Sequence, residues 1–210
     1  MARADELHEV VPGLYVWQAF GAACKTDLTS TAYVLEEKII FLDPILLGRE
    51  PMSELLSLGE PAVIVLTNGN HERASRALAQ RWKVPIWSHP EAAAELPCRT
   101  DADLADGQVL FGELQVKALP GGGPGEIALY HARTKSLSFG DLVINLPGYE
   151  FQVLPEKYCR NAPQARLSLR TLGSLEVRRM TFAHGLPLVQ NAERRFAEFV
   201  QGLGADATRA

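Results

Sequence analysis

The sequence predicts a mixed α+β (α/β) protein in which two β-sheets are covered by outer helices. Three observations carry that expectation. Two separate sets of short runs alternate apolar and polar residues, a strand–loop–helix–strand passage lies in the first half, and apolar stripes at helical spacing close the second half.

The first alternating set is Gly13 to Phe20, Thr31 to Leu35 and Lys38 to Leu42, with Glu36-Glu37 as a tight connection. Asp43-Pro44 stops the third run, because proline disfavours helix before it and donates nothing to a ladder. A short helix is expected over Met52 to Leu58, then a strand buried on both faces over Ala62 to Leu66. The polar loop 67–70 leads into an amphipathic helix over His71 to Trp82, and Val84 to Trp87 completes a βαβ unit. The second alternating set is Glu113 to Leu119, Ile127 to Ala132 and Ser136 to Ile144. Asn161, Pro163 and Gly173 bracket a helix, Arg178 to Phe182 forms a last strand, and Asn191 and Gly204 bound a final helix.

At 210 residues and with no low-complexity linker, the chain is expected to form one domain over 11–203, with an N-terminal extension (1–10) and a tail (204–210). Its 21 basic residues are scattered and outnumbered by 25 acidic ones, a balance that argues against nucleic-acid binding. No apolar run reaches the roughly 20 residues that span a bilayer, and the charged N-terminus reads as cytoplasmic. Cys24, Cys98 and Cys159 fit neither a disulfide framework nor a zinc-ribbon spacing and read as reduced, mostly buried thiols. None is singled out as a nucleophile.

The run Gly121 to Gly125 is not a phosphate loop, since a strand rather than a helix follows it, and no Gly-x-Ser-x-Gly elbow is present. What remains is a set of polar residues where apolar strands end: Asp43, Asn68 to Arg73, Asp141 and His184. His8, His89 and His131 match no site.

In Thr67-Asn68-Gly69-Asn70-His71-Glu72-Arg73 the chain resembles the metallo-β-lactamase superfamily, whose Thr/Ser-His-x-His-x-Asp-His stretch supplies four metal ligands. Leu42-Asp43-Pro44, Leu119 to Gly125, Phe139-Gly140-Asp141 and Phe182-Ala183-His184-Gly185 are similar to that family's other landmarks, in order, over roughly Val11 to Val200. The resemblance implies a four-layer αββα sandwich with a hydrolase-like site at one edge of the sheets.

The departures carry equal weight. Asn68, Asn70 and Gly122 stand where the family has the three histidines of its first zinc, Glu72 replaces an aspartate and Arg73 a histidine. Carboxamides are poor zinc ligands, and a guanidinium ligates no cation. The expectation is a divergent protein that has lost the dinuclear centre and carries no cofactor, with one divalent metal ion on Glu72, Asp141 and His184, and His71 swung inward beside them, as the alternative. In the metal-free form Arg73 replaces the cation and pairs with Asp141, Glu72 or Asp43. Asp43, Asp141 and His184 are the catalytic candidates. Asn68, Asn70, His71, Arg73 and Gly122 are the pocket candidates, for an unidentified, anionic small molecule. Beside these roles stand plainer ones: turn formation for Asn68 and Asn70, and a solvated first helical turn for His71 and Glu72. A structural pseudoenzyme acting through a partner stays open, and a homodimer is the base-rate expectation.

Overall fold

The structure is a computed structural model that describes residues 2–148 and 150–205. In chain order its first strands are β1 (Arg3–Ala4), β2 (His8–Val11), β3 (Leu14–Gly21), β4 (Thr26–Leu35), β5 (Lys38–Leu42), β6 (Leu46–Leu47), β7 (Glu60–Leu66), β8 (Ile86–Ser88) and β9 (Ala102–Asp103). The second half adds β10 (Val109–Leu110), β11 (Leu114–Ala118), β12 (Ile127–His131), β13 (Ser136–Phe139), β14 (Val143–Leu146), β15 (Glu150–Val153) and β16 (Arg179–Phe182). The helices are α1 (Arg49–Leu56), α2 (Ser75–Trp82), α3 (Pro90–Ala93), α4 (Ala162–Arg170) and α5 (Ala192–Ala205).

Strand alternation sorts the apolar residues into three layers. Ile39, Phe41, Ile64 and Leu66 face α1 and α2 through Met52, Leu55 and Leu78. Ile40, Leu42, Val63 and Val65 point the other way, meeting Leu114, Val116, Ile127 and Leu129 between the sheets. On the far side of the second sheet, Ala128, Tyr130, Leu137 and Phe139 pack against Leu169 of α4 and Phe196 of α5. Helix, sheet, sheet, helix is therefore the order of layers. Among the described residues, one sheet runs β2-β3-β4-β5-β7-β8-β9 and the other β10-β11-β12-β13-β16.

Each sheet is antiparallel at its start and turns parallel where it matters: β5 pairs with β7, and β13 with β16, in parallel. Parallel neighbours end at the same edge, so Asp43 lies beside the loop after Leu66, and Asp141 beside His184. This topology assembles the strand-end polar residues into one place.

Several boundaries differ from the sequence expectation. β4 begins at Thr26 because Thr26 to Ser30, though polar except for Leu28, continue the ladder on β3 out to Gly21. Ser136 to Ile144 is two strands, since Gly140 to Leu142 leave the second sheet and β14 pairs with β15 instead. The helix expected from His71 starts only at Ser75, because Arg73 takes a left-handed backbone (φ 44°). Residues 3–4 and 8–11 pair with β6 and β3. Helix α5 runs past Gly204, and residues 206–210 of the expected tail lie outside the described residues. The cysteines are free but not buried: Cys24 is exposed, Cys98 and Cys159 partly so. No helix is long and apolar enough to cross a membrane.

Candidate active site

Asp43 anchors the site from the end of β5. Its carboxylate accepts from the Thr67 amide (2.8 Å), the Thr67 hydroxyl and His71 Nδ1 (2.8 Å). Burial alone would raise this carboxyl; the charge and hydrogen bond of His71, with Arg73 and Thr67, outweigh it and hold the group below its usual range. The consequence is positional. With the chain tied at Thr67 and kinked at Arg73, His71 turns inward and is buried rather than solvated.

His71 Nε2 then lies 2.9 Å from Asp141 Oδ1, and His184 Nε2 lies 3.0 Å from the same oxygen. His184 Nδ1 donates to the Asp27 carbonyl at 2.8 Å. Both rings thus commit Nδ1–H to an acceptor and turn Nε2 toward a carboxylate. Burial would lower the His71 imidazole, but Asp141 and Asp43 push it up to about 9. Asp141 is held well below its ordinary value: burial opposes ionisation, and the two histidines more than offset it. The ligand atoms of His71, Asp141 and His184 all lie within 4.8 Å of one another, and these three could hold a metal ion.

Glu72 does not join them. Its carboxylate lies 4.0 Å from Arg76, one helical turn on, because the kink that turns His71 inward turns Glu72 out. Arg73 also departs from the expected pairing with a carboxylate. Its guanidinium donates to the main-chain carbonyls of Thr29 (2.8 Å), Asp43 (2.9 Å) and Ala183 (3.2 Å), clamping the ends of both sheets. Burial lowers its pKa, and Asp43 and Asp141 work against that from nearby.

A second buried acid, Glu126, was not legible as a site residue. Its Oε2 accepts from Asn68 Nδ2 (3.1 Å) and the Gly123 amide (3.2 Å), and its Oε1 from the Leu142 amide (3.0 Å). Burial and the charge of Asp141 push its carboxyl up to about 8, against these donors and His71. Asn68 also accepts from the Asn70 amide, so its turn-forming role and its grip on Glu126 coexist. Gly122 and Gly140 make the space. A Cβ at Gly140 would sit 2.5 Å from Glu126 Oε1, and one at Gly122 3.0 Å from Glu126 Cγ. The only sequence signal was a lone acid between a glycine-rich loop and an apolar strand.

Over Asp141 and His184 opens a cavity of about 630 Å³, which Asn70 and Gly123 also line. Asn68 is fully buried beneath it, and Arg73 is not on its wall.

The family model of the metallo-beta-lactamase superfamily matches residues 6–203. The chain belongs to that superfamily. Among solved structures, DIM-1 metallo-beta-lactamase superposes with a TM-score of 0.75 at 11% identity, covering 96% of this chain and 99% of its own. A metallo-beta-lactamase from Pontibacter korlensis gives 0.72 at 18% (93% and 98% covered). A metallo-beta-lactamase family protein from Thermus thermophilus gives 0.69 at 19% (96% and 81%). No curated protein matches the sequence. At these identities the structural likeness concerns the fold, and the αββα layering described above is the metallo-beta-lactamase fold.

Proposed function

We propose that the chain is a divergent metallo-beta-lactamase-fold hydrolase with a single metal-ion site in place of a dinuclear centre. The observation that carries this reading is Asp141 Oδ1, which faces two imidazole Nε2 atoms whose Nδ1 partners are already fixed. Acceptors on both sides of each ring call for positive charge between them, which either two protons or one divalent ion supplies. Two histidines and a carboxylate, each ring oriented by a hydrogen bond behind it, form a donor set suited to zinc with an open position.

The first-metal residues do not fit an ion. Asn68 is committed to Glu126 and the Asn70 amide, and a side chain at position 122 would press on Glu126. Glu126 in effect occupies that half of the site from behind.

His71, Asp141 and His184 would hold the ion, which when bound supplies Lewis-acid polarisation of an acyl or phosphoryl group. The protein's own contribution is orientation. Asp43 and Thr67 fix the His71 ring, the Asp27 carbonyl fixes His184, and Arg73 locks the two sheet ends that carry them. Asn70, exposed at the cavity wall, offers a neutral donor to a substrate oxygen.

The test is elemental analysis of untagged protein, thermal melting with and without a chelator, and a screen of ester, thioester and phosphodiester substrates. One equivalent of metal, a chelator-induced fall in Tm and chelator-sensitive hydrolysis are expected. Two equivalents, or none under any loading condition, overturn the reading.

A second reading is favoured by the position of His71, whose two ring nitrogens lie 2.8 Å from Asp43 and 2.9 Å from Asp141. An imidazolium there pairs Asp43 and Asp141 without any ion, giving a metal-free binding module. It predicts no metal uptake and a thermal shift with small anions that a chelator leaves unchanged.

A further inference from the structure

The cavity over Asp141 and His184 has walls of two kinds. Ile144 and Leu146 of β14, with Leu154 and Pro155 after β15, contribute apolar lining. The connection from β3 into β4 brings in Cys24 to Thr26, and the 3-10 turn Glu156–Tyr158 brings in Lys157. A volume of about 630 Å³ suits a small molecule rather than a polymer.

The charges are as informative as the shape. Asp141 is the one carboxylate among the lining residues, and both imidazoles engage it. Lys25 and Lys157 bring two ammonium groups, neither paired with a carboxylate among the described residues; Lys157 Nζ lies 4.8 Å from the Tyr158 ring centroid. Of the other lysines Lys38 and Lys135 are paired, with Glu60 and Glu176, while Lys83 and Lys117 lie off this cavity. In a chain of net charge −4, a mouth carrying two unpaired cations concentrates anions locally.

We propose that this cavity takes an amphipathic anion, with a carboxylate or phosphate group at Lys25 and Lys157 and a hydrocarbon segment along Ile144, Leu146 and Leu154. Cation alone would serve any anion, and apolar wall alone any lipid; the two together in one small cavity select a molecule with both. The proposal rests on the hydrolase reading only in placing the bond to be cleaved at Asp141 and His184. Recognition stands apart from cleavage.

Isothermal titration with octanoate, octyl phosphate, octylammonium and acetate, on metal-loaded and on chelated protein, tests it. Octanoate or octyl phosphate binds, and whichever binds more tightly identifies the head group; octylammonium and acetate do not. The double variant Lys25→Ala/Lys157→Ala weakens binding roughly tenfold or more, as expected for losing two partly solvated charge contacts. It keeps its Tm because both side chains are exposed. Leu146→Asp weakens octanoate as well. Equal binding of octanoate and octylammonium, or octanoate binding indifferent to the double variant, overturns the proposal.

A catalytic arm compares the monoanionic 4-nitrophenyl ester of octanedioic acid with neutral 4-nitrophenyl octanoate on metal-loaded protein. Lysine-dependent octanoate binding with neither ester hydrolysed would sink the hydrolase reading and support the anion site. Hydrolysis of both esters at equal kcat/KM, without lysine-dependent binding, would do the reverse.

Discussion

The two halves of the site satisfy their buried acids in opposite ways. Glu126 sits among three N–H donors from Asn68, Gly123 and Leu142, and burial with the charge of Asp141 favours its neutral form. Asp141 faces two rings whose remaining nitrogens are already spent, and it borders an open cavity. The difference sets a carboxyl enclosed by amide donors against a cluster of three side chains that could hold a metal ion. A carboxyl that burial keeps neutral calls for no cation, whereas imidazoles turned by fixed Nδ1 bonds keep a place for one.

The sharpest way to break this contrast is Asp141→Ala. It leaves the buried His71 ring and the half-buried His184 ring without their shared acceptor, and we expect complete loss of bound metal. In metal-free protein, removing one partner of such a buried pair costs about 3–5 kcal/mol. Elemental analysis and denaturant unfolding read the two effects separately.

Glu126→Gln comes next. A neutral amide stands in for the neutral acid at every pH, and metal content stays at the wild-type level. The same variant tests a pH dependence. The Glu126 carboxyl is raised in the folded state, so between about 4.5 and 8 the folded protein holds the extra proton and the contribution of Glu126 to stability falls as pH rises. That part of the slope disappears in Glu126→Gln, as urea unfolding across this window would register.

Arg73→Lys keeps the charge but loses the planar fork that reaches three carbonyls. A loss of about 1–2 kcal/mol is expected by thermal unfolding, with metal retained. The smallest effect belongs to Glu72→Ala: within about 0.5 kcal/mol of wild type and with unchanged metal stoichiometry, since this side chain contacts Arg76 and not the cluster. Loss of metal in Glu72→Ala would redraw the ligand set.

Much of the fold was legible because its apolar pattern is periodic. β5, β7 and β12 each alternate between two cores, and polar residues cluster where those strands stop. The candidate residues Asp43, His71, Asp141 and His184 could be named for the same reason. Their partners could not. Whether Glu72 or His71 faces inward depends on the backbone at Arg73, a left-handed residue that helical periodicity passes over. Glu126 was hidden because its meaning comes from Asn68, Gly123 and Leu142, contacts that spacing does not encode. Lys25 and Lys157 were ordinary surface lysines until the fold brought both to one cavity.

The parallel pairing that gathers the site also sets when it can exist during folding. β13 and β16 are joined only after the long excursion through β14, β15 and α4, and β5 and β7 only after α1. Contacts of such long sequence separation pay their loop-closure entropy before any stabilisation returns. On that ground Asp141 and His184 are expected to meet late, after each meander has formed, when an ion can no longer act as a nucleus. Metal supplied during refolding should leave the folding rate unchanged and act on unfolding, which makes the site a seal on the finished sandwich rather than a template for it.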